Sequence, residues 1–179
     1  MVLDYGWTGL LIEGDAAFVA AARERYAGRP VTIHEDYVNT DNIVGIFRQH
    51  HVPVAPDLLS IDIDGNDYWL WLALAEYRPR IVVIEFNGTM PATRRWVMKY
   101  NPDHRWGGST YFGASLASLA TLGRDLGYAL LGTDRNGVNA FFIRRDLLEL
   151  SRFPEVTPEQ GFHPLFIVHP YADGPFIEL

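Results

Sequence analysis

The sequence predicts a single α/β domain, a Rossmann-like three-layer sandwich whose mostly parallel sheet carries helices on both faces. Three observations carry that expectation. Short apolar runs alternate with amphipathic stretches along most of the chain. One run, Ile81-Val82-Val83-Ile84-Glu85-Phe86, is almost wholly branched and apolar, as in a strand covered on both faces. Near the C-terminal end Asn136-Gly137 separates two further runs, a strong turn signal for an antiparallel hairpin. At 179 residues and 48% hydrophobic content the chain can bury a core of its own.

The elements follow in order. Thr8 to Glu13 reads as a buried strand ending in acid. Asp15 is the expected N-cap of a helix running to Tyr26, which Gly28 and Pro30 stop. Val31 to His34 is a second strand, and a helix from about Thr40 to His51 places Ile43, Ile46 and Phe47 on one face. Leu58 to Ile63 is a third strand, followed by the polar turn Asp64-Gly65-Asn66-Asp67. A helix over Tyr68 to Leu74 sets Trp69 and Leu72 three apart, and Trp69 and Trp71 are expected to pack in the core. After the Ile81–Phe86 strand, Asn87 to Phe112 is a long polar loop rich in Gly, Pro and aromatics, the kind of segment that forms a substrate lid. Ser115 caps a helix to Leu126, and strands Tyr128–Thr133 and Asn139–Arg144 form the hairpin. Residues 1–150 are thus one domain, and 151–179 an extension packing on it with no convincing period.

Several function classes are disfavoured. A net charge of −7 argues against a nucleic-acid partner held by phosphate neutralisation, and the basic pairs Arg94-Arg95 and Arg144-Arg145 are short. No run reaches the roughly 18 apolar residues of a membrane span, and the start lacks the pattern of a signal peptide. With no cysteine, disulfides and thiolate metal sites are excluded, and a reducing, cytoplasmic location is expected. The six histidines show no zinc-type spacing. Ser109 has no nucleophile-elbow motif around it. Asp64-Gly65-Asn66-Asp67 lacks the spacing of a calcium-hand loop.

The functional signal is acidic. Glu13 ends one strand, Glu35-Asp36 a second, Asp62 and Asp64 a third, and Glu85 a fourth. In open parallel sheets ligands bind beyond the carboxyl ends of the strands. Asp62, Asp64, Asp67 and Glu85 are hard oxygen donors suited to Mg2+ or Ca2+, and Asp64 or Asn66 could equally cap the following helix while Gly65 makes the turn. His104 lies in the long loop with Tyr100, Asn101, Arg105 and Trp106.

These residues resemble a known family. Gly6-Trp7-Thr8-Gly9-Leu10-Leu11-Ile12-Glu13-Gly14-Asp15 resembles the second strand of S-adenosylmethionine-dependent class I methyltransferases. Leu58-Leu59-Ser60-Ile61-Asp62-Ile63-Asp64-Gly65-Asn66-Asp67-Tyr68 resembles the strand reading K-I-D-V-E-G in FkbM-like methyltransferases, and a bacterial group reading L-L-S-I-D-I-D-G-N-D-Y still more. Arg80 to Asn87, Gly108-Ser109, Ala117-Ser118-Leu119, Leu122-Gly123 and Gly127-Tyr128 extend the likeness, which covers about residues 6 to 146. The family's first strand and glycine-rich cofactor loop have no counterpart, so the chain reads as N-terminally truncated. The resemblance then implies either that the strands at 8–13 and 58–63 pair directly, or that another chain or further sequence completes the sheet, a homodimer included.

The resemblance also implies roles. Glu13 would accept hydrogen bonds from the cofactor ribose, with Gly14 beside it. Asp36 would take the adenine amino group, in competition with Glu35, and Tyr37 or Val38 would flank the ring. Asp62 would face the transferred methyl group and orient the acceptor, act as a base or bind a metal, with His104 a second catalytic candidate. Related sugar O-methyltransferases bind a metal with acids near this strand, which here would be Asp62, Asp64 and Glu85. The implied activity is O-methylation of a small molecule, sugar or glycan. The alternatives are an inactive methyltransferase-fold remnant or subunit serving assembly or ligand binding, and a metal-dependent sugar-modifying enzyme without the methyl donor.

Overall fold

The computed structural model describes residues 2–167 and 169–179. The chain divides into two compact units, Met1–Val52 and Pro53–Leu179. In the first, a short helix α1 (Val2–Tyr5) precedes strand β1 (Gly9–Glu13), helix α2 (Ala16–Arg25), strand β2 (Val31–Glu35) and helix α3 (Ile43–Gln49). β1 and β2 are parallel, with Gly9 opposite Val31 and Glu13 opposite Glu35, so both strands end in acid at the same edge. Asp15 caps α2 as its residue type dictates: its carboxylate accepts from the amides of Ala17 at 2.7 Å and Phe18 at 3.3 Å. Helix α3 buries Ile43, Ile46 and Phe47, the face that the spacing predicts. It starts three residues later than expected. Asn39 accepts from the amides of Asp41 and Asn42, and Asn42 accepts from that of Asn39, which holds 39–42 as a turn.

The second unit contains β3 (Leu58–Ile61), α4 (Asp67–Ala73), β4 (Ile81–Glu85), β5 (Trp96–Met98), α5 (Leu116–Asp125), β6 (Tyr128–Thr133), β7 (Asn139–Arg144), α6 (Pro158–Gly161) and β8 (Phe176–Glu178). Its main sheet has the order β3-β4-β7-β6. β3 and β4 are parallel, and β7 runs antiparallel to both β4 and β6. β4 is interior to the sheet, and Val82 and Ile84 are wholly buried. Trp71 of α4 packs against the rings of Phe142 at 4.9 Å and Tyr128 at 5.7 Å. Ser115 caps α5, accepting from the Ser118 amide at 3.2 Å.

The strands differ from the expected single, mostly parallel sheet. Two pairings are parallel, β1–β2 and β3–β4, while β4–β7, β6–β7 and β5–β8 are antiparallel, so the fold is α/β with mixed sheets. Within the first unit β1 pairs with β2, and within the second β3 pairs with β4. The long segment after β4 is not structureless, for β5 lies within it and pairs with β8 from the tail. α4 also turns a different face inward: Leu70, Trp71 and Leu74 are buried, whereas Leu72 is exposed. No helix among the described residues is long and apolar enough to cross a membrane.

Leu119 of α5 has no solvent exposure. Leu119→Ala is expected to destabilise the protein by about 2–5 kcal/mol, the range for a buried leucine whose cavity cannot collapse. Chemical denaturation with an unchanged m-value checks it, and a loss below about 1 kcal/mol would show that α5 is not held in this core.

Candidate functional site

The acids of the second unit meet at the turn between β3 and α4. Asp62 is the first residue beyond β3, and Ile61 sits opposite Ile84 in the parallel register, so Asp62 and Glu85 emerge side by side. The chain then reverses through Asp64, whose φ of +57° is a left-handed conformation that aspartate tolerates better than most residues. Asp67, fully buried in the first turn of α4, closes the reversal. Its Oδ1 accepts from the Ile63 amide and its Oδ2 from the Gly65 amide, both at 2.9 Å. Both Asp67 oxygens are thus engaged by backbone amides, and Asp67 is not one of the acids whose oxygens converge. Asn66 is the N-cap residue of α4 by position, without a side-chain capping hydrogen bond.

Asp62, Asp64 and Glu85 each offer a carboxylate oxygen, all within 4.8 Å of one another. Asp62 and Asp64 reach solvent, whereas Glu85 is only 8% exposed. The Asp64 amide donates to the Glu85 carboxylate, and Glu85 Oε2 is buried without a hydrogen-bond partner. Burial, reinforced by Asp67, Asp62 and Asp64, pushes the Glu85 pKa up to about 9. Asp67 is pushed up to about 6, by burial first and against the pull of its backbone donors. Asp62 is also raised, by loss of hydration on its protein side and then by Asp64.

The long loop is tied to this turn. Asn66 Nδ2 donates to the Asn101 carbonyl at 2.7 Å, and the Asn101 amide donates back to Asn66 Oδ1 at 3.3 Å. Trp69 Nε1 donates to the Met98 carbonyl at 2.8 Å, so this tryptophan anchors the loop rather than filling the core. The His104 amide donates to the Asn101 carbonyl, and its imidazole lies directly on Gly65. A Cβ at residue 65 would stand 2.5 Å from His104 Cδ2 and 2.9 Å from Nε2. Close approach of the ring thus requires glycine here, while Asp64 takes the positive φ. His104 Nε2 is buried and has no partner, and Tyr111 meets the ring edge-on at 5.9 Å. Asn87, wholly buried, holds the far end of the loop by donating to the carbonyls of Thr110 and Phe112. The bridging roles of Asn66, Asn87 and Asn101 escaped the sequence reading, because asparagine in a polar loop carries no period or spacing. Ser109 Oγ accepts from the Tyr111 amide at 3.3 Å and its carbonyl from Trp106 Nε1 at 2.7 Å.

The first unit gathers another predicted group. The Asp36 amide donates to the Glu13 carbonyl at 3.1 Å, and the Tyr37 ring packs on Gly14 so tightly that a Cβ there would fall 2.3 Å from it. Glu13, Gly14, Asp36 and Tyr37 are thereby neighbours; Asp62, the fifth expected cofactor residue, belongs to the second unit. Glu13 Oε1 accepts from the Asp15 amide at 2.8 Å, so part of its role is to serve the start of α2. Asn42 Nδ2 donates to Asp36 Oδ2 and to the Tyr37 carbonyl, steadying both. Glu35 pairs with Arg23 at 3.3 Å across an exposed surface.

No protein-family model matches the chain, no curated protein matches it, and no solved structure matches it. The class defined by fold and geometry is an α/β protein with mixed sheets and an acid-lined turn at the carboxyl ends of two parallel strands.

The Glu85 carboxyl carries a pH signature. Its pKa in the folded protein lies above its ordinary value of 4.5, so its contribution to stability is full below about pH 4.5 and is lost as pH rises toward about 9. Glu85→Gln, measured in chelator, is expected to be more stable than the parent by roughly 1–3 kcal/mol at pH 8, with the two converging near pH 5. Parallel stability curves across that range would refute a buried, proton-holding Glu85.

Proposed function

We propose that this chain is an S-adenosylmethionine-dependent methyltransferase-type protein that methylates an oxygen of a small molecule, sugar or glycan. The observation that carries the reading is the convergence of Glu13, Gly14, Asp36 and Tyr37 at the carboxyl ends of β1 and β2. A carboxylate offers acceptor oxygens to a vicinal diol, an acid beside it suits an adenine amino group, and a half-exposed tyrosine ring suits a purine face. Gly14 fits the same purpose, since any side chain there would drive Tyr37 away. Support also comes from the second unit, where parallel β3 and β4 are followed by the β6–β7 hairpin that the resemblance leads one to expect.

When bound, the cofactor supplies an electrophilic methyl group. Methyl transfer to oxygen also requires an acceptor hydroxyl to be oriented and its proton taken up. Asp62, with its pKa raised, is a stronger base than an ordinary carboxylate, and the buried Nε2 of His104 is a second atom able to hold that proton. Glu13, Gly14, Asp36 and Tyr37 would hold the cofactor, which would supply the methyl group for an acceptor oxygen.

Titration calorimetry with S-adenosylmethionine tests the reading. The parent chain is expected to bind, and Glu13→Ala and Tyr37→Ala are each expected to weaken binding about tenfold or more, the effect of losing a hydrogen-bonded carboxylate or a stacking ring. Absence of binding at millimolar cofactor, with folded protein verified by circular dichroism, would overturn it in favour of a binding or assembly role without methyl transfer.

A further inference from the structure

We propose that a cavity formed by the loop after β4 and the C-terminal tail binds a small organic cation of the alkylammonium or quaternary ammonium class, held by aromatic rings and two carboxylates. The proposal stands on the second unit alone and does not rest on the methyl-transfer reading. The cavity has a volume of about 590 Å3, within the range of roughly 300–1,000 Å3 usual for small-molecule sites. Trp96, Tyr171 and Phe176 supply its rings, and Asp173 and Glu178 its charges.

The walls are built by pairing between segments distant in sequence. In the β5–β8 register Trp96 lies opposite Glu178 and Met98 opposite Phe176, so Trp96, Phe176 and Glu178 share one face of this two-stranded sheet. The Trp96 and Phe176 rings run nearly parallel, with 16° between their planes and 6.3 Å between centroids. Tyr111 braces Phe176 edge-on at 5.0 Å. Thr110 ties down the tail: its Oγ1 donates to the Ala172 carbonyl at 3.2 Å and accepts from the Ala172 amide at 3.0 Å. Gly174 crosses the Tyr111 ring, where a Cβ would collide. Asp173 is therefore held between two attachments of the tail.

Charge selects the ligand. Among the described residues every charged group lining the cavity is an acid, which disfavours an anion. Among those residues Asp173 takes the Gly174 amide at 3.0 Å and has no basic partner. Glu178 meets Arg94 at 3.8 Å across an exposed surface, a contact that contributes little. The chain itself shows which kind of group this wall attracts: the Arg94 guanidinium sits over the Trp96 ring, its Cζ 5.3 Å from the centroid. Aromatic faces draw cations through the ring quadrupole, and groups of such rings recognise quaternary ammonium ligands. A neutral polyol fits less well, since the Thr89 and Thr110 hydroxyls are already engaged by Asn87 and Ala172 and the two carboxylates only accept.

The test titrates the full chain with choline and with butylammonium by calorimetry, without any methyl donor. Saturable binding of at least one of the two is expected. The neutral analogue of the cation that binds, with carbon in place of nitrogen, is expected to bind at least tenfold more weakly, because it keeps the shape and loses the attraction to rings and carboxylates. Asp173→Asn is the informative variant, since asparagine keeps an oxygen for the Gly174 amide and removes only the charge. Tyr171 is 82% exposed, so Tyr171→Ala leaves the core intact. Each variant is expected to weaken cation binding several-fold or more, with an unchanged circular dichroism spectrum. Glu149→Gln, an exposed acid in the 3-10 turn after β7, is expected to bind like the parent. No saturable binding of either cation at tens of millimolar, equal binding of the cation and its neutral analogue, or equal binding by parent, Asp173→Asn and Tyr171→Ala would overturn the proposal. Tighter binding of methyl glucoside than of either cation would overturn it in favour of a polyol site. Failure here with positive methyl-donor binding sinks only the cation cavity, and the reverse result sinks only the methyl-transfer reading.

Discussion

The second unit's chemistry depends on one buried carboxylate. Asp67 reaches back from the first turn of α4 and takes the amides of Ile63 and Gly65, which fixes the reversal after β3. Both amides would otherwise be orphan donors in a place with little water. The arrangement gives the turn a geometry that does not rely on the residues around it being apolar. Asp62 and Asp64 are consequently set beside Glu85, and Gly65 is set beneath His104. The conserving logic is electrostatic as much as steric: an anion near a helix N-terminus is favoured by the local dipole, which offsets part of the cost of burying it.

A second layer follows from Asn66. It leaves the capping role its position suggests and instead pairs reciprocally with Asn101, so the loop after β4 is pinned to the acid turn. Trp69, one helical turn further along, makes a second attachment at Met98, and β5 and β8 make a third by joining the loop to the tail. The loop is thereby held at three places, on Asn66, on Trp69 and on the tail strand. His104 therefore sits in a defined place, with its amide and its ring both positioned by the fold.

Crowding of Asp62, Asp64, Asp67 and Glu85 is costly to a folded protein, since Asp62, Asp64 and Asp67 each raise the pKa of a neighbour. Structural cores avoid such groupings, and sites that handle protons or cations collect them. The first unit shows a milder pattern: Glu13 and Asp36 lie at strand ends with local donors, and Tyr37 on Gly14 adds an aromatic wall.

Most strands and helices were legible in the chain itself. The β4 run, the caps Asp15 and Ser115, the buried face of α3 and the Asn136-Gly137 hairpin all rest on local chemistry, in which side-chain type and spacing dictate the backbone nearby. The strand-end position of the acids was equally visible, because the runs end in them. Other features needed the tertiary structure. β5 and β8 are three residues each and lie far apart in sequence, too short to show a period, so only their mutual pairing defines them. Asp67 looked like one more oxygen donor until the reversed chain brought two amides to it, and the burial of Leu70 and Leu74 beside Trp71 showed only once α4 was packed. Sequence alone determined which local structures form and which residues carry charge. The tertiary structure decided which charges meet, because that is set by contacts between segments whose sequence separation leaves no local trace.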